Sequence, residues 1–348
     1  MSTLSTENLR IASFKPLITP HEMKQKIPMS QESLETVAKG RQQVAQILNK
    51  QDPRKLVIVG PCSIHDPKSA LEYAKKLKTL ADQVCDTMVL VMRTYFEKPR
   101  TTVGWKGFIN DPSLDSSFNM NEGLTMARKL LIDITSMGIP VANESLEPIS
   151  PQYIAELISW TAIGARTTES QTHRELASGL SSPVGFKNNT DGNIEVAINA
   201  IKSAQRPHHF LGIDTYGQTS IVSTTGNPYG HLILRGGKDR PNYDMDSVNK
   251  ALEALKQAGL VESLIIDCSH DNSLKDFKRQ PEVFYACIEH IMRGMDGVAG
   301  MMLESHLFEG KQDLQPALKY GVSITDGCIS FDTTASIITE AHQLLKNR

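Results

Sequence analysis

The stretch VIVGPCSIHD, residues 57–66, places a cysteine and a histidine directly after an apolar run. Cys62 ends the run, and His65 follows three residues later. Thiolate and imidazole groups both bind first-row transition metals, although a cysteine at the end of a strand can also be a packing residue. Cys62 is therefore a candidate metal ligand if other segments bring further ligands to the same place.

Seven other apolar runs of strand-like composition also end in an ionisable residue. Together the eight end residues are Cys62, Arg93, Glu144, Arg166, Lys187, Arg235, His270 and Glu304. Cys62, His270 and Glu304 are ligating types, and Asp326 in the later stretch SITDGCIS completes a mixed thiolate, imidazole and carboxylate set. Such a set suits Mn²⁺, Fe²⁺, Co²⁺ or Zn²⁺ in an open, catalytic site.

Two further cysteines leave the ligand assignment open. Cys268 comes two residues before His270, and Cys328 comes two residues after Asp326. Either thiol could replace Cys62 as the ligand, or Cys328 could form a disulfide with Cys62 and inactivate the metal site.

Most of the remaining strand-end residues are cations. The cationic set comprises Arg93, Lys98, Arg166, Lys187 and Arg235, with Arg100 and Lys106 from the loop YFEKPRTTVGWKG. Pairing with surface carboxylates would explain one such residue, but a group of this size predicts bound phosphate and carboxylate groups, and its number predicts two substrates. The stretch RGGK, residues 235–238, also has the composition of a glycine-rich phosphate loop.

The elements that must position these residues alternate along the chain. From residue 56 onward, eight short apolar runs alternate with stretches of helical spacing, which predicts an α/β fold with a closed parallel (β/α)₈ barrel. A doubly wound open sheet shares this rhythm and is the alternative. We expect residues 1–50 to form an N-terminal arm and residues 51–348 a barrel domain, with a hairpin inserted at about 208–226.

Composition limits the class of protein. The 348 residues are 40% hydrophobic and 22% charged, with a formal net charge of −2. This balance argues against a general nucleic-acid or membrane-surface binder, so basic residues must act within a pocket. Five cysteines, no recognisable leader and no apolar run of membrane-spanning length lead us to expect a cytoplasmic protein with reduced thiols.

Seven motifs together resemble a known enzyme family. They are GPCSIHD, MRTYFEKPRTTVGWKG, IGARTTESQTHRELASG, GFKN, HLILRGG, DCSHDNSLKD and SITDGCIS. They resemble the microbial type I 3-deoxy-D-arabino-heptulosonate 7-phosphate (DAHP) synthases, over most of the chain. The resemblance implies a metal-dependent (β/α)₈ barrel that joins phosphoenolpyruvate to erythrose 4-phosphate with release of phosphate, the first committed step of the shikimate pathway to aromatic amino acids.

Followed position by position, the resemblance implies roles for the site residues. One divalent ion per subunit would be held by Cys62, His270, Glu304 and Asp326. Phosphoenolpyruvate would be held by Arg93, Lys98, Arg166, Lys187, Arg235 and the backbone N–H of Ala165. Erythrose 4-phosphate would be contacted by Pro99, Arg100, Thr101 and Asp326. Glu144 would position water or the reacting enol carbon, and Lys98 would donate a proton to the new alkoxide, although the residues alone do not exclude a metal-bound water as donor.

The resemblance also implies feedback inhibition by an aromatic amino acid in a homodimer or homotetramer. The inhibitor pocket would be lined by Pro151, Gln152, Leu176, Leu180, Ser181, Phe210, Gly212 and Val222, with Glu7 and Asn8 arriving from a partner subunit. Phenylalanine-inhibited members tend to have serine at the position of Gly212, and tyrosine-inhibited members tend to have glycine, which leaves space for the phenolic hydroxyl. Gly212 and Asn8 therefore favour tyrosine, although Gly212 could equally relieve a strand bulge.

Three other functions remain open. The first is 3-deoxy-D-manno-octulosonate 8-phosphate synthase, which shares the fold and the chemistry but uses arabinose 5-phosphate; the stretch KPRT, residues 98–101, and the long arm argue against it. The second is a non-catalytic sensor of aromatic amino acids, which predicts a damaged metal site, whereas all four candidate ligands are present. The third is a metal-dependent aldolase, which would not need so many cations.

Overall fold

Eight parallel strands form a closed barrel in the computed structural model, which describes residues 6–100, 104–315 and 317–348. The barrel strands are β1 (Lys55–Gly60), β2 (Met88–Arg93), β3 (Val141–Glu144), β4 (Trp160–Ile163), β5 (Val184–Lys187), β8 (Gly230–Leu234), β9 (Leu264–Asp267) and β10 (Val298–His306). They lie in this order, and β10 pairs in parallel with β1. This pairing of first and last strand confirms the (β/α)₈ barrel and excludes the open sheet.

Helices surround the barrel and return the chain from one parallel strand to the next. They are α3 (Pro67–Val84), α4 (Met120–Ser136), α5 (Pro151–Ile154), α6 (Gln171–Gly179), α7 (Glu195–Ala204), α8 (Met245–Gln257), α9 (Gln280–Met292) and α10 (Phe331–Lys346). A short strand, β11 (Ile329–Ser330), pairs with β10 before α10 begins. Side-chain caps fix several helix starts: Asp66 accepts hydrogen bonds from the backbone N–H groups of Lys68 and Ser69 and so begins α3 directly after the Cys62 turn.

Two helices precede the barrel, α1 (Pro20–Lys26) and α2 (Gln31–Leu48). Val44, Ile47 and Leu48 of α2 are buried in the same apolar cluster as inward-facing barrel residues such as Ile58 and Trp160. Since α2 leads into β1, it covers the amino-terminal end of the strands, and each such fully buried aliphatic side chain contributes about 1.5–3 kcal/mol. The opposite, carboxyl-terminal end of the barrel, here called the mouth, is left for chemistry. A functional boundary at residue 50 stays a prediction.

An antiparallel hairpin interrupts the alternation where the sequence predicts it. Its strands are β6 (His209–Ile213) and β7 (Thr219–Ser223), which pair with each other and form a sheet separate from the barrel. The Asp214 side chain accepts hydrogen bonds from the N–H groups of Tyr216 and Gln218, and Gly217 has φ +75°, so the turn lies where expected.

The strand ends differ from the sequence prediction at five of the eight positions. Arg93, Glu144 and Lys187 are the last residues of their strands, as predicted, whereas β1 stops at Gly60 because Pro61 has no N–H to donate. Strand β9 ends at Asp267, three residues before His270, where the chain turns into a short 3₁₀ helix. Arg166 likewise lies three residues after the end of β4, whereas Arg235 directly follows β8 and Glu304 lies two residues inside β10.

No helix within residues 6–100, 104–315 and 317–348 combines the length and the apolar character needed to cross a bilayer.

Candidate active site

Seven of the eight predicted strand-end residues line two adjoining cavities at the mouth of the barrel, and the eighth, Cys62, is buried and contacts Lys98 of the smaller cavity. The smaller cavity has a volume of 150 Å³, and the larger has a volume of 860 Å³. Both are lined by Arg166, Thr190, Arg235, His270 and Asp326. The smaller adds Arg93, Lys98, Pro99, Arg100, Glu144, Ala165 and Lys187. The larger adds Glu304. The fold therefore brings ligating and cationic residues from seven chain segments to one place.

Three of the four predicted metal ligands form a compact group. One ligand atom each of Cys62, Glu304 and Asp326 lies within 4.8 Å of the others. Cys62 and Glu304 meet because β1 pairs with β10 in the register Gly60 with Glu304, and Asp326 arrives from the loop before β11. A thiol with two carboxylates is a donor set that fits a divalent first-row ion.

His270, the fourth predicted ligand, lies beside this group but is not part of it. His270 lines both cavities, and its Nδ1 atom lies 2.9 Å from Asp267 Oδ2. Its backbone has φ 56°, a left-handed conformation that is uncommon for a residue with a side chain and that costs free energy. The turn that carries His270 is thus held in an unusual conformation at the edge of the site.

The Cys62 thiol is buried between an ammonium and a carboxylate group. Lys98 Nζ donates to Cys62 Sγ at 3.2 Å, and Sγ lies 3.5 Å from Asp326 Oδ2. Burial raises the pKa of Cys62 to about 12, and Glu304 acts in the same direction. A divalent cation among these groups would reverse that shift, because a metal deprotonates a coordinating thiol.

Lys98 keeps its charge despite its burial. Burial acts to lower the pKa of Lys98, but the acidic groups around it, Cys62 and Glu304 first, raise it above its usual value. The loop that carries Lys98 folds back on itself: Lys98 N–H donates to Lys106 O, and Arg100 Nε donates to Trp105 O at 2.8 Å. Thr101 lies outside the described residues.

The cations are held in place by acidic and aromatic neighbours. Arg93 is fully buried, donates to Glu304 Oε1 at 3.1 Å and lies over the Tyr95 ring at 4.0 Å. Burial acts to lower the pKa of Arg93, but Tyr95 and Glu304 raise it. Lys187 donates to Asp267 at 2.8 Å. The mouth therefore holds several buried cations in fixed positions, an arrangement that favours anionic ligands.

Close packing at Gly164 brings Glu144 next to the Ala165 backbone. A Cβ atom at Gly164 would lie 2.2 Å from Glu144 Oε1, so any larger residue here would force the Glu144 carboxylate out of its present position. The N–H of Ala165 and the carboxylate of Glu144 consequently belong to the same wall of the smaller cavity.

The RGGK stretch does not present its backbone N–H groups to an anion. The N–H of Gly236 donates to Asn242 Oδ1, that of Gly237 to Arg240 O and that of Lys238 to Thr190 O. A phosphate loop needs free N–H groups, so this stretch can offer an anion only the side chains of Arg235 and Lys238, both of which line the larger cavity.

The predicted inhibitor-pocket residues lie on the hairpin, on α5 and on α6. Phe210, Gly212 and Val222 share one face of the hairpin, and a Cβ atom at Gly212 would lie 2.8 Å from Val222 Cγ2. Ser178 Oγ lies 2.7 Å from Thr224 Oγ1 and joins α6 to the hairpin. The other predicted residues are Pro151 and Gln152 at the start of α5, Leu176 and Leu180 at α6, and Ser181 after it. Glu7 and Asn8 lie in an exposed segment.

Sequence reasoning missed three residues of the site. Asp267 is fully buried and contacts both Lys187 and His270. Tyr95 lies beneath Arg93, and Asp271 forms an ion pair with Arg235. The run SLIID did contain a signal, because its last residue is Asp267, but the prediction extended the strand to His270.

Comparisons with known proteins identify the family of this chain. A family model described as the DAHP synthetase I family matches residues 26–339. The Tyr-sensitive phospho-2-dehydro-3-deoxyheptonate aldolase of Escherichia coli K12 is 52% identical over 344 residues, which cover 98% of this chain and 96% of the relative. The Phe-sensitive enzyme of the same organism is 51% identical and covers 98% of each chain.

A solved structure agrees at the level of the fold. The phospho-2-dehydro-3-deoxyheptonate aldolase of Francisella tularensis SCHU S4 superposes with a TM-score of 0.95 at 49% identity, covering 97% of this chain and 98% of that one. Family model, relatives and structure all span nearly the whole chain. The chain therefore belongs to the DAHP synthetase I family.

Proposed function

We propose that this chain condenses phosphoenolpyruvate with D-erythrose 4-phosphate and water to give DAHP and phosphate, the first committed step of aromatic amino-acid biosynthesis. One observation carries the proposal: the group of Cys62, Glu304 and Asp326 adjoins Lys98 and a cavity lined by Arg93, Arg166, Lys187 and Arg235. Two phosphorylated substrates require such a concentration of cations, and the chemistry requires a metal site beside them.

A divalent ion would be held by Cys62, Glu304 and Asp326, with His270 as the fourth ligand. When bound, the ion supplies Lewis-acid polarisation of the sugar aldehyde. The buried Cys62 thiol, two carboxylates and an adjacent imidazole suit Mn²⁺, Fe²⁺, Co²⁺ or Zn²⁺, and support this assignment.

The cations bind and orient phosphoenolpyruvate. Arg166, Lys187 and Arg235 with the Ala165 N–H hold its phosphate and carboxylate groups, and Arg93 adds charge from beneath. The loop residues Pro99, Arg100 and Thr101 hold the sugar phosphate. Aligning two diffusible substrates in this way lowers the barrier by at most about 7–11 kcal/mol.

Lys98 is the proton donor in this scheme. C3 of phosphoenolpyruvate attacks the aldehyde carbon, and the aldehyde oxygen takes a proton from Lys98 Nζ, which the acidic neighbours keep protonated. Water, positioned by Glu144, then adds at C2, and phosphate leaves by cleavage of the C2–O bond. The fixed cations stabilise the departing anion, and loss of one such donor costs about 10²–10³ in rate.

Tyrosine is the proposed feedback inhibitor. The Tyr-sensitive and Phe-sensitive relatives are almost equally identical to this chain, so overall identity does not choose between them. Gly212 supports tyrosine, because even one added carbon there would crowd Val222 and reduce the space for a phenolic hydroxyl.

We further propose a homodimer or homotetramer in the cytoplasm. Leu211 and Ile221, on the outer face of the hairpin, are 79% and 75% exposed, and Phe14 of the arm is 78% exposed. Apolar side chains that stay this exposed in one chain favour burial between subunits. All five cysteines are free thiols, which supports a reducing compartment.

Phosphate release from phosphoenolpyruvate by Mn²⁺-loaded protein tests the proposal. Release is measured without a sugar phosphate, with erythrose 4-phosphate and with arabinose 5-phosphate. Each aromatic amino acid is then added in turn. We expect release only with the four-carbon sugar and suppression by tyrosine. Release with the five-carbon sugar would identify 3-deoxy-D-manno-octulosonate 8-phosphate synthase instead. Absence of release with either sugar would favour the non-catalytic sensor of aromatic amino acids.

A further inference from the structure

Asp267 is a fully buried carboxylate that connects the two halves of the site. Its Oδ2 atom lies 2.8 Å from Lys187 Nζ and 2.9 Å from His270 Nδ1. Its Oδ1 atom accepts hydrogen bonds from Ser269 N–H at 3.0 Å and from Ser269 Oγ at 2.6 Å. A buried charge with this many partners is fixed in position.

These contacts determine which nitrogen of His270 carries its hydrogen. Ser269 Oγ also lies 2.7 Å from His270 Nδ1, but its single hydroxyl hydrogen is directed to Asp267. Both neighbours of Nδ1 are therefore acceptors, and Nδ1 must be the donor. The opposite ring nitrogen, Nε2, keeps its lone pair and is the atom that can bind a metal.

We propose that Asp267 is a positioning residue that couples metal binding at His270 to anion binding at Lys187. The inference rests on the proposed function, which makes His270 a metal ligand and Lys187 a holder of phosphoenolpyruvate. Asp267 acts through these two side chains and touches neither substrate nor metal.

The coupling arises because Lys187 and His270 share one carboxylate oxygen. The ammonium of Lys187 reduces the negative charge that Asp267 offers to the His270 ring. An anion that engages Lys187 compensates its charge, so Asp267 acts more strongly on Nδ1–H and makes Nε2 a better ligand. Metal and phosphoenolpyruvate consequently tighten each other's binding, as linkage requires.

The first test measures the Kd of Mn²⁺ for the full chain by the electron paramagnetic resonance of free Mn²⁺. Asp267→Asn keeps the shape but removes the charge, and we expect about 10–100-fold weaker binding. Asp271→Asn is the matched control: it removes a charge next to His270 from a residue that pairs with Arg235 instead. An equal effect in both variants would reduce the role of Asp267 to general electrostatics and overturn the proposal.

Lys187→Gln has the opposite predicted sign. Without the competing ammonium we expect the Kd of Mn²⁺ to fall at least about fivefold. This factor is the lower end of the range that is typical for coupling between two binding sites. Direct repulsion between Lys187 and Mn²⁺ would persist in the Asp267→Asn background, whereas coupling through Asp267 would not. The proposal requires that K187Q has a smaller effect in the D267N background; the same factor in both backgrounds overturns it.

A measurement on the unchanged chain covers the case in which D267N does not fold. In protein with ¹⁵N-labelled histidine, the His270 ring, assigned through His270→Gln, should show a protonated Nδ1; a protonated Nε2 overturns the proposal. Phosphate release by the same preparation separates the two claims. A parent chain that binds no Mn²⁺ or turns nothing over contradicts the proposed function, whereas an active parent with an unaltered D267N variant contradicts only the inference.

Discussion

The Cys62 thiol illustrates how the site depends on single residues. It is completely buried, and in the absence of a metal ion its pKa is raised to about 12, chiefly by burial. A neutral thiol is a poor ligand, so metal binding must displace its proton. Lys98 at 3.2 Å helps, because its positive charge favours the thiolate.

Cys62→Ala should therefore lose bound metal and turnover together. We expect Mn²⁺ affinity to fall by more than about 100-fold, the upper range for residues that only support a ligand. Metal content after gel filtration and phosphate release measure the two effects. Cys328→Ala should retain both, since Cys328 is not part of the compact group of Cys62, Glu304 and Asp326, and its sulfur donates to the Asp326 backbone oxygen at 3.7 Å. Retained metal in C62A with lost metal in C328A would transfer the ligand role to Cys328.

Glu97, next to Lys98, predicts a pH dependence of stability. Its side chain is 2% exposed and accepts a hydrogen bond from Ser150 Oγ at 3.0 Å, and burial raises its pKa from 4.5 to about 8. Between these values the folded state binds more protons than the unfolded state. The free energy of unfolding therefore falls as pH rises from 4.5 to about 8.

Glu97→Gln stays neutral and should remove this loss. We expect parent and variant to have the same melting temperature near pH 4.5, and the variant to have the higher melting temperature near pH 8. Thermal unfolding followed by circular dichroism across this range measures the difference. Glu35→Gln, at an exposed position of α2, is the control and should leave the pH slope unchanged. A parallel pH profile for E97Q and the parent would show that Glu97 is ionised in the fold.

At the scale of elements, the hairpin is an addition that the barrel does not need for closure. It forms its own two-stranded sheet, and Gly212 faces Phe210 and Val222 there. Gly212→Ser should reduce inhibition by tyrosine at least about tenfold, since a clash with one hydroxyl in a filled pocket costs more than about 1.4 kcal/mol. Inhibition curves with tyrosine and with phenylalanine measure this shift, and Gln218→Ala in the turn is the control. Unchanged inhibition by tyrosine would mean that Gly212 serves only to relieve a bulge in the hairpin strand.

The arm is the second such addition. Residues 6–17 are exposed, whereas α2 shares its apolar residues with the barrel interior. Removal of residues 1–13 should thus leave catalysis and melting temperature nearly unchanged but abolish inhibition by tyrosine, because the proposed inhibitor pocket takes Glu7 and Asn8 from a neighbouring subunit. Turnover with and without tyrosine, together with the molar mass in solution, tests this. Intact inhibition would place the inhibitor elsewhere.

At the scale of the whole molecule, the proposed metal site joins the first and last strands of the barrel. Cys62 follows β1, Glu304 lies in β10, and Asp326 precedes β11. An ion held by all three binds only the closed barrel, and it adds about 2.7 kcal/mol of apparent stability at a hundredfold excess over Kd. Treatment with a chelator should lower the melting temperature of the parent. The same treatment should not affect C62A, and an equal fall in both would locate the stabilising ion at another site.

Much of this architecture could be predicted from residue order alone. Alternating apolar runs and amphipathic stretches predicted the barrel, and the Tyr216-Gly217 pair predicted the hairpin turn. The predictions were less accurate at strand ends such as Asp267, because local composition does not show where parallel pairing stops. They also failed at RGGK, where distant acceptors such as Asn242 and Thr190 occupy the N–H groups.

The sequence by itself determined which side chains reach the mouth, because both their types and their positions at the ends of apolar runs can be identified from residue order. Only the tertiary structure decided which of them touch. Gly60 meets Glu304 through the pairing of β1 with β10, and Asp267 meets both Lys187 and His270 through a turn with an unusual backbone at φ 56°. Such contacts join residues up to 244 positions apart, and their geometry follows from barrel closure rather than from any local pattern.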